Sequence, residues 1–313
     1  MQPRRHREVL ARVALVCFGI VVAVLALEAA LRAGSLVIRA TGRSPREVAH
    51  AGDRTLLCLG DSNVYGLHVE HQEAWPSVLE GLWNADDRRA PVDVVNLGFP
   101  GTNSSTLRNA LPKLLSIFHP TLVLVMVGVN DFWTVPQPVE DADLSTRVDA
   151  LLWRTSRVYR LVYMIRRAFE APEIDLTWRG EDSPNTAVVR YGRERVEWSH
   201  TAKEGGYPQW RNALRTNLAE IAAQIRRTGA QPVFVTYPAD LPFSSIYGVT
   251  NATLRDAAAA TETSLIDLGP AMAPRCRPPD CDEFFPDEHP TVTGHRRAAE
   301  IVVHELLQTD GQR

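Results

Sequence analysis

Cysteine is scarce in this chain of 313 residues, with four copies, and none stands within a cluster of further ligands at metal spacing. A zinc-stapled fold is thereby disfavoured. Lysine and arginine form no cluster beyond the first residues, and the formal net charge of −3 with a pI near 6.3 argues against nucleic acid as the main partner. No glycine-rich phosphate loop follows any predicted strand, which disfavours a nucleotide binder on an otherwise suitable fold. Internal repeats and low-complexity tracts are also missing. What is present, 45% hydrophobic and 23% charged residues, fits one sizeable globular domain with ample core.

The sharpest change in composition lies at the N-terminus. Arg4, Arg5, His6 and Arg7 face the single acid Glu8, and Val9 to Ile38 is then mostly apolar, interrupted by Arg12, Glu28 and Arg32. Between Val13 and Leu27 there is no charge. About 20 apolar residues cross a bilayer as a helix, and a basic flank marks the inner side. The expectation is therefore a cytoplasmic flank over 1–12, a transmembrane anchor over 13–32 and a linker over 33–54. That arrangement makes a single-pass protein of the inner (plasma) membrane, with its main domain extracytoplasmic. A cleaved signal peptide and a buried core helix share the pattern, but no small-residue cleavage site stands out where Leu25-Ala26-Leu27 runs into Glu28. Cys17 and Cys58 read as small buried thiols. Cys276 and Cys281, flanking a Pro-rich turn, read as a disulfide loop suited to an oxidising compartment.

From residue 55 the pattern alternates strand and helix. Leu56–Leu59, Val92–Asn96, Thr121–Val127, Pro232–Tyr237 and Ser264–Leu268 are the predicted strands. Ala74–Trp83, Thr106–Phe118, a stripe through Leu214, Leu218, Ile221, Ala222 and Ile225, and Val292–Leu307 are the predicted helices. This alternation implies a three-layer α/β sandwich around a parallel five-stranded sheet, spanning residues 55–307. A Trp-rich insertion at about 132–210 breaks the rhythm; it carries Trp133, Trp153, Trp178, Trp198 and Trp210, with a helix expected within Leu144–Phe169. It reads either as an insertion packed on the core or as a lid or acceptor platform.

The chemistry-bearing residues sit at strand ends. Gly60-Asp61-Ser62 follows the first strand, Gly98-Phe99-Pro100-Gly101 the second and Gly128-Val129-Asn130-Asp131 the third; Asp287-Glu288-His289-Pro290 precedes the last helix. In an open α/β sheet the ligand crevice lies beyond those ends. Together they hold the inventory for acyl transfer. A serine hydroxyl needs a base, and His289 suits that role near neutral pH; Asp287 would fix its tautomer. The amides of Ser62 and Gly101 and the carboxamide of Asn130 are candidate oxyanion donors. His295 is a rival base, although its place in the last helix favours packing or capping. Each block alone has an ordinary structural reading as turn or helix-entry chemistry; their joint occurrence does not.

The ordered set resembles the four blocks of the SGNH, or GDSL, hydrolases, named for their Ser, Gly, Asn and His. The resemblance runs from about Thr55 to Leu307 and implies a flavodoxin-like sandwich that cleaves or transfers ester-linked acyl groups without metal or other cofactor. By that resemblance Ser62 is the nucleophile, His289 the base, and Gly101 and Asn130 complete the oxyanion hole, while Asp61 holds the loop. One departure stands out: most of the family places its acid three residues before the histidine, where this chain has Pro286. Asp287, two before, is similar to the spacing in relatives acting on bacterial exopolysaccharides, with Glu288 and Asp282 as fallbacks. The expected substrate is an acyl ester of the envelope, on a glycan such as an O-acetylated polysaccharide or on a lipid. The alternatives are an O-acyltransferase to a polysaccharide acceptor and a non-catalytic glycan-binding or assembly component on the same fold.

Overall fold

The computed structural model describes residues 3–41, 54–134, 144–170, 187–191, 194–198, 208–239, 245–272 and 282–310. Its helices are α1 (Pro3–Thr41), α2 (Ser62–Tyr65), α3 (Trp75–Asn84), α4 (Ser104–Phe118), α5 (Val129–Trp133), α6 (Leu144–Thr155), α7 (Arg157–Glu170), α8 (Pro208–Arg227), α9 (Ser245–Ala260), α10 (Leu268–Met272) and α11 (Val292–Asp310). Its strands are β1 (Arg54–Gly60), β2 (Val92–Gly98), β3 (Leu122–Met126), β4 (Ala187–Tyr191), β5 (Glu194–Trp198), β6 (Gln231–Val235) and β7 (Ser264–Ile266). The chain falls into two compact units, Met1–Glu47 with Pro138–Ala168, and Val48–Gln137 with Phe169–Arg313.

The second unit is the α/β domain. All five predicted strands pair in parallel, in the order β2-β1-β3-β6-β7. The strand at the centre, β3, is buried at every position, which is why its sequence is a continuous apolar run instead of an alternating one. Helix α3 packs with α11, and α8 packs with both α4 and α9, as expected of helices covering the two faces of a parallel sheet. Each helix turns a stripe inward, as in Leu107, Leu111 and Leu115 of α4 and Leu214, Leu218, Ile221 and Ile225 of α8, all buried. The order reverses between β1 and β3, so the crevice of the domain opens beyond their carboxyl ends. The antiparallel pair β4-β5 falls within the Trp-rich insertion and had no counterpart in the hydrophobic pattern.

In the first unit, α1 contains Arg12–Gly34, 23 residues that are long and apolar enough to cross a membrane, none of them buried. The single helix expected within Leu144–Phe169 is two, α6 and α7, interrupted at Ser156. The break is stabilised from outside: the Glu28 carboxylate of α1 accepts from the amides of Arg157 (3.0 Å) and Val158 (2.9 Å) and from the Ser156 hydroxyl (3.1 Å). These are the donors that the start of a helix leaves without an internal partner. Of the four cysteines, Cys17 is exposed and Cys58 buried, both free thiols; the expected Cys276–Cys281 loop lies outside the described residues.

Candidate active site

Ser62 stands two residues beyond the end of β1, on the first residue of α2. The turn is held by Asp61, whose carboxylate caps α2 by accepting from the Asn63 amide at 3.0 Å. At β2's end Gly98 lies against this turn: a Cβ there would stand 2.2 Å from the Tyr65 amide nitrogen and 2.6 Å from the Val64 carbonyl carbon. The absence of a side chain lets β2 approach the segment that carries Ser62. Gly101 differs, with φ +78° and open space where a Cβ would be.

Across the crevice, 227 residues along the chain, His289 Nε2 lies 2.9 Å from Ser62 Oγ. The turn before α11 delivers it: the Phe285 amide donates to the His289 carbonyl (2.8 Å) and the Glu288 amide to the Phe285 carbonyl (2.9 Å). Asn130 closes the set. Its Nδ2 donates to Asp61 Oδ2 and to the Thr102 carbonyl, each at 3.2 Å, so it touches the neighbour of Ser62 and the neighbour of Gly101. The four separated blocks therefore meet at the ends of β1, β2 and β3.

Asp287 is less firmly placed. Its Oδ2 lies 3.2 Å from His289 Nδ1, within ion-pair distance but off the line of a well-aligned hydrogen bond. The same oxygen is held at 2.8 Å by His68 Nε2, whose ring also meets His289 edge to face with centroids 5.6 Å apart. Burial raises the Asp287 carboxyl, yet the His68 bond and the nearby imidazoles outweigh it and hold it below the usual value. Nothing in the sequence marked His68. The donor atoms of His68, Asp287 and His289 lie within 4.8 Å of one another, a spacing a divalent ion would accept; they engage each other and Ser62.

Burial dominates the electrostatics. It pushes the His289 imidazole below 6.5 against the opposing pull of Asp287, which keeps the ring neutral and able to take a proton at pH 7. The Asp61 carboxyl is fully buried and driven up to about 6, chiefly by desolvation and despite hydrogen bonds from Tyr237, Asn63 and Asn130. Asp131 is likewise driven up to about 7 by burial, and accepts from the Ser104 amide at 2.8 Å and from the Ser104 hydroxyl. Sequence reading missed Tyr237 and Tyr247. The Tyr237 hydroxyl donates to Asp61 Oδ2 at 2.5 Å, its ring stacks on Tyr247, and the Tyr247 hydroxyl accepts from Asn63 at 3.2 Å. Tyr237 follows β6, so the strand-end rule that found Ser62 and Asn130 would have flagged it.

His295 is fully buried, and its Nδ1 accepts from the Trp75 amide at 3.3 Å, which makes it a cap for α3 instead of a base. Burial lowers it to about 4. Its folded value lies below its unfolded 6.5, so unfolded protein binds the proton first and stability falls as pH drops through that window. At about 1.4 kcal/mol per unit, wild type should lose up to about 3 kcal/mol between pH 7 and 4 through this group, given its shift from 6.5 to about 4. Urea unfolding of wild type and His295→Gln at both pH values checks it; equal pH slopes would refute the assignment.

A parallel five-stranded domain with a serine and a histidine in hydrogen-bond contact at its strand ends has the architecture of a serine hydrolase acting on ester bonds. The family model of the GDSL-like lipase/acylhydrolase family matches residues 58–297, and the chain belongs to that family. Among curated proteins, 77 residues, 25% of this chain, are 38% identical to the thioesterase 1/protease 1/lysophospholipase L1 of Escherichia coli (strain K12), covering 35% of that protein's length. Among solved structures the fold is similar to that of the psychrotrophic esterase EstA from Pseudoalteromonas sp. (14% identity, TM-score 0.50, 83% of this chain and 100% of that one). It is also similar to the acetylxylan esterase Axe2 from Geobacillus stearothermophilus (16% identity, TM-score 0.50, 81% of this chain and 94% of that one).

Proposed function

We propose that the protein is a membrane-tethered serine esterase that removes ester-linked acyl groups from envelope glycans or lipids through an acyl-enzyme on Ser62. The observation that carries this reading is the 2.9 Å contact between Ser62 Oγ and His289 Nε2 at the crevice between β1 and β3. Ser62 attacks the ester carbonyl carbon while its proton passes to His289 Nε2. The tetrahedral oxygen is received by the amides of Ser62 and Gly101 and by Asn130, which exchanges one of its 3.2 Å bonds for the substrate. His289 returns the proton to the leaving alkoxide, then activates the water that releases the acid. Asp287 steadies the imidazolium, and Asp61 positions the turn. The tether is the apolar stretch Arg12–Gly34, with the basic residues before it on the inner side. The Escherichia coli relative is named for thioesterase, protease and lysophospholipase activities, each a cleavage at an acyl carbonyl, which supports the reaction class.

A p-nitrophenyl ester series from acetyl to long chain, with fluorophosphonate labelling, tests the reading. Labelling of Ser62 together with turnover supports it, and well-folded protein that does neither refutes it. Products formed with and without a glycan acceptor separate hydrolysis from transfer. Because burial holds His289 below 6.5, kcat/KM should rise with pH through a midpoint under 6.5 and be level by pH 7.5; a limb centred above 7 would contradict His289 as the base. Asp287→Asn should lower kcat by about 10²–10³, less than the roughly 10⁴ seen where a buried acid is firmly bonded, because this carboxylate is half exposed and poorly aligned with Nδ1.

A further inference from the structure

We propose that α6 and α7 are a pair of interfacial helices that lie on an anionic lipid surface beside the membrane anchor. Both helices are patterned for burial, yet their apolar stripes are exposed. Leu144, Val148 and Leu151 recur along one stripe of α6, and Leu161, Val162 and Ile165 along one stripe of α7. Val162 is 60% exposed, Leu151 and Ile165 each 50%, and no residue from 144 to 167 with a described environment is buried. Such a pair gains nothing from its apolar faces in water.

Three observations name the occupant. First, the junction between the helices is fastened to α1 at one level. Glu28 caps α7 as described, Arg32 Nε donates to Glu28 Oε1 at 2.8 Å, and Arg32 Nη2 donates to the Thr155 carbonyl at 2.5 Å at the end of α6. Glu28 stands sixteen residues after Arg12, about 24 Å along a helix at ~1.5 Å per residue, so the fastening falls near the far edge of an apolar core about 30 Å thick. An acid and an arginine are tolerated there because they satisfy each other and the open helix ends. Second, the junction is aromatic: Trp153 meets Tyr163 edge to face at 5.5 Å, Arg160 covers Trp153 at 5.5 Å, and the Tyr159 hydroxyl donates to Asp149 at 3.0 Å. Tryptophan and tyrosine concentrate at headgroup depth. Third, residues 144–167 hold Arg147, Arg154, Arg157, Arg160, Arg166 and Arg167 against the one acid Asp149, a second basic cluster that corrects the reading of arginine as clustered at the N-terminus alone. Apolar stripes bordered by arginine suit the boundary between acyl chains and anionic headgroups.

This inference rests on the anchor reading above, and the experiment separates the two. Full-length protein with Cys17 and Cys58 as Ala and Cys276 and Cys281 as Ser receives one cysteine at position 20, 87, 151, 162 or 165, labelled with an environment-sensitive dye. It is reconstituted into phosphatidylcholine vesicles with or without phosphatidylglycerol. Circular dichroism of each labelled protein verifies the fold. Labels at 151, 162 and 165 should lose about half their emission to a shallow doxyl-lipid quencher, as residues seated at the headgroup boundary do, and more when phosphatidylglycerol is present. The label at 20 should be quenched by a deep doxyl lipid and the label at 87 by neither. Quenching at 20 without quenching at 151, 162 and 165 overturns the proposal, and shielding of those three from aqueous iodide would then assign the face to a protein partner or a second copy. No quenching at 20 overturns the anchor and the proposal together.

Discussion

Replacement of Ser62 by alanine is expected to lower turnover of a p-nitrophenyl ester by about 10⁶, the loss typical when the nucleophile of such a unit is removed. Fluorophosphonate labelling should vanish with it. Stability should hardly move, because the hydroxyl makes one hydrogen bond, to His289, worth about 1 kcal/mol net. The turn stays in place through the Asp61 cap and Tyr237. His289→Ala should cost about as much, and the double variant little more than either alone, since the two act as one unit. Retained turnover in Ser62→Ala at an unchanged melting temperature would move the chemistry elsewhere in the crevice.

The second large effect belongs to a glycine outside the chemistry. Gly98→Ala would place a methyl 2.2 Å from the Tyr65 amide nitrogen and 2.8 Å from the Tyr65 Cα, backbone atoms that cannot step aside. Either β2 leaves its parallel register with β1, in which Gly60 pairs with Gly98, or α2 is displaced and takes Ser62 with it. Protein that folds should have lost activity by about 10², the cost of an error near 1 Å in a reacting group. Gly101→Ala is the contrast. A methyl at 101 meets nothing, but φ +78° costs a non-glycine residue roughly 1–2 kcal/mol. It should unfold more easily and, with its amide intact, keep most of its kcat. Thermal melts and single-turnover kinetics on the two variants distinguish these outcomes, and equal behaviour would refute the distinction drawn between them.

Much of the catalytic domain was legible because its signals are local. β3 reads as a strand from seven residues, and α4 from a three- and four-residue stripe. Those periods need no knowledge of the partner surface. The break at Ser156 was not legible, since a continuous apolar stripe runs through it and the cap comes from Glu28, 128 residues earlier. His68 was invisible for a similar reason: it lies in an ordinary turn and gains meaning only from Asp287, 219 residues away.

By itself the sequence determined the order of strands and helices, the apolar character of the N-terminal helix, and the residue types an acyl-transfer site requires, all set by short-range periodicity and by chemistry carried in single side chains. Only the tertiary structure decided that Ser62 and His289 meet, that Asp287 is shared with His68, that Tyr237 and burial lift the Asp61 carboxyl, and that α6 and α7 are fastened to the apolar N-terminal helix. Those outcomes depend on distances between residues far apart in the chain and on the loss of water around them, and neither exists until the sheet has closed.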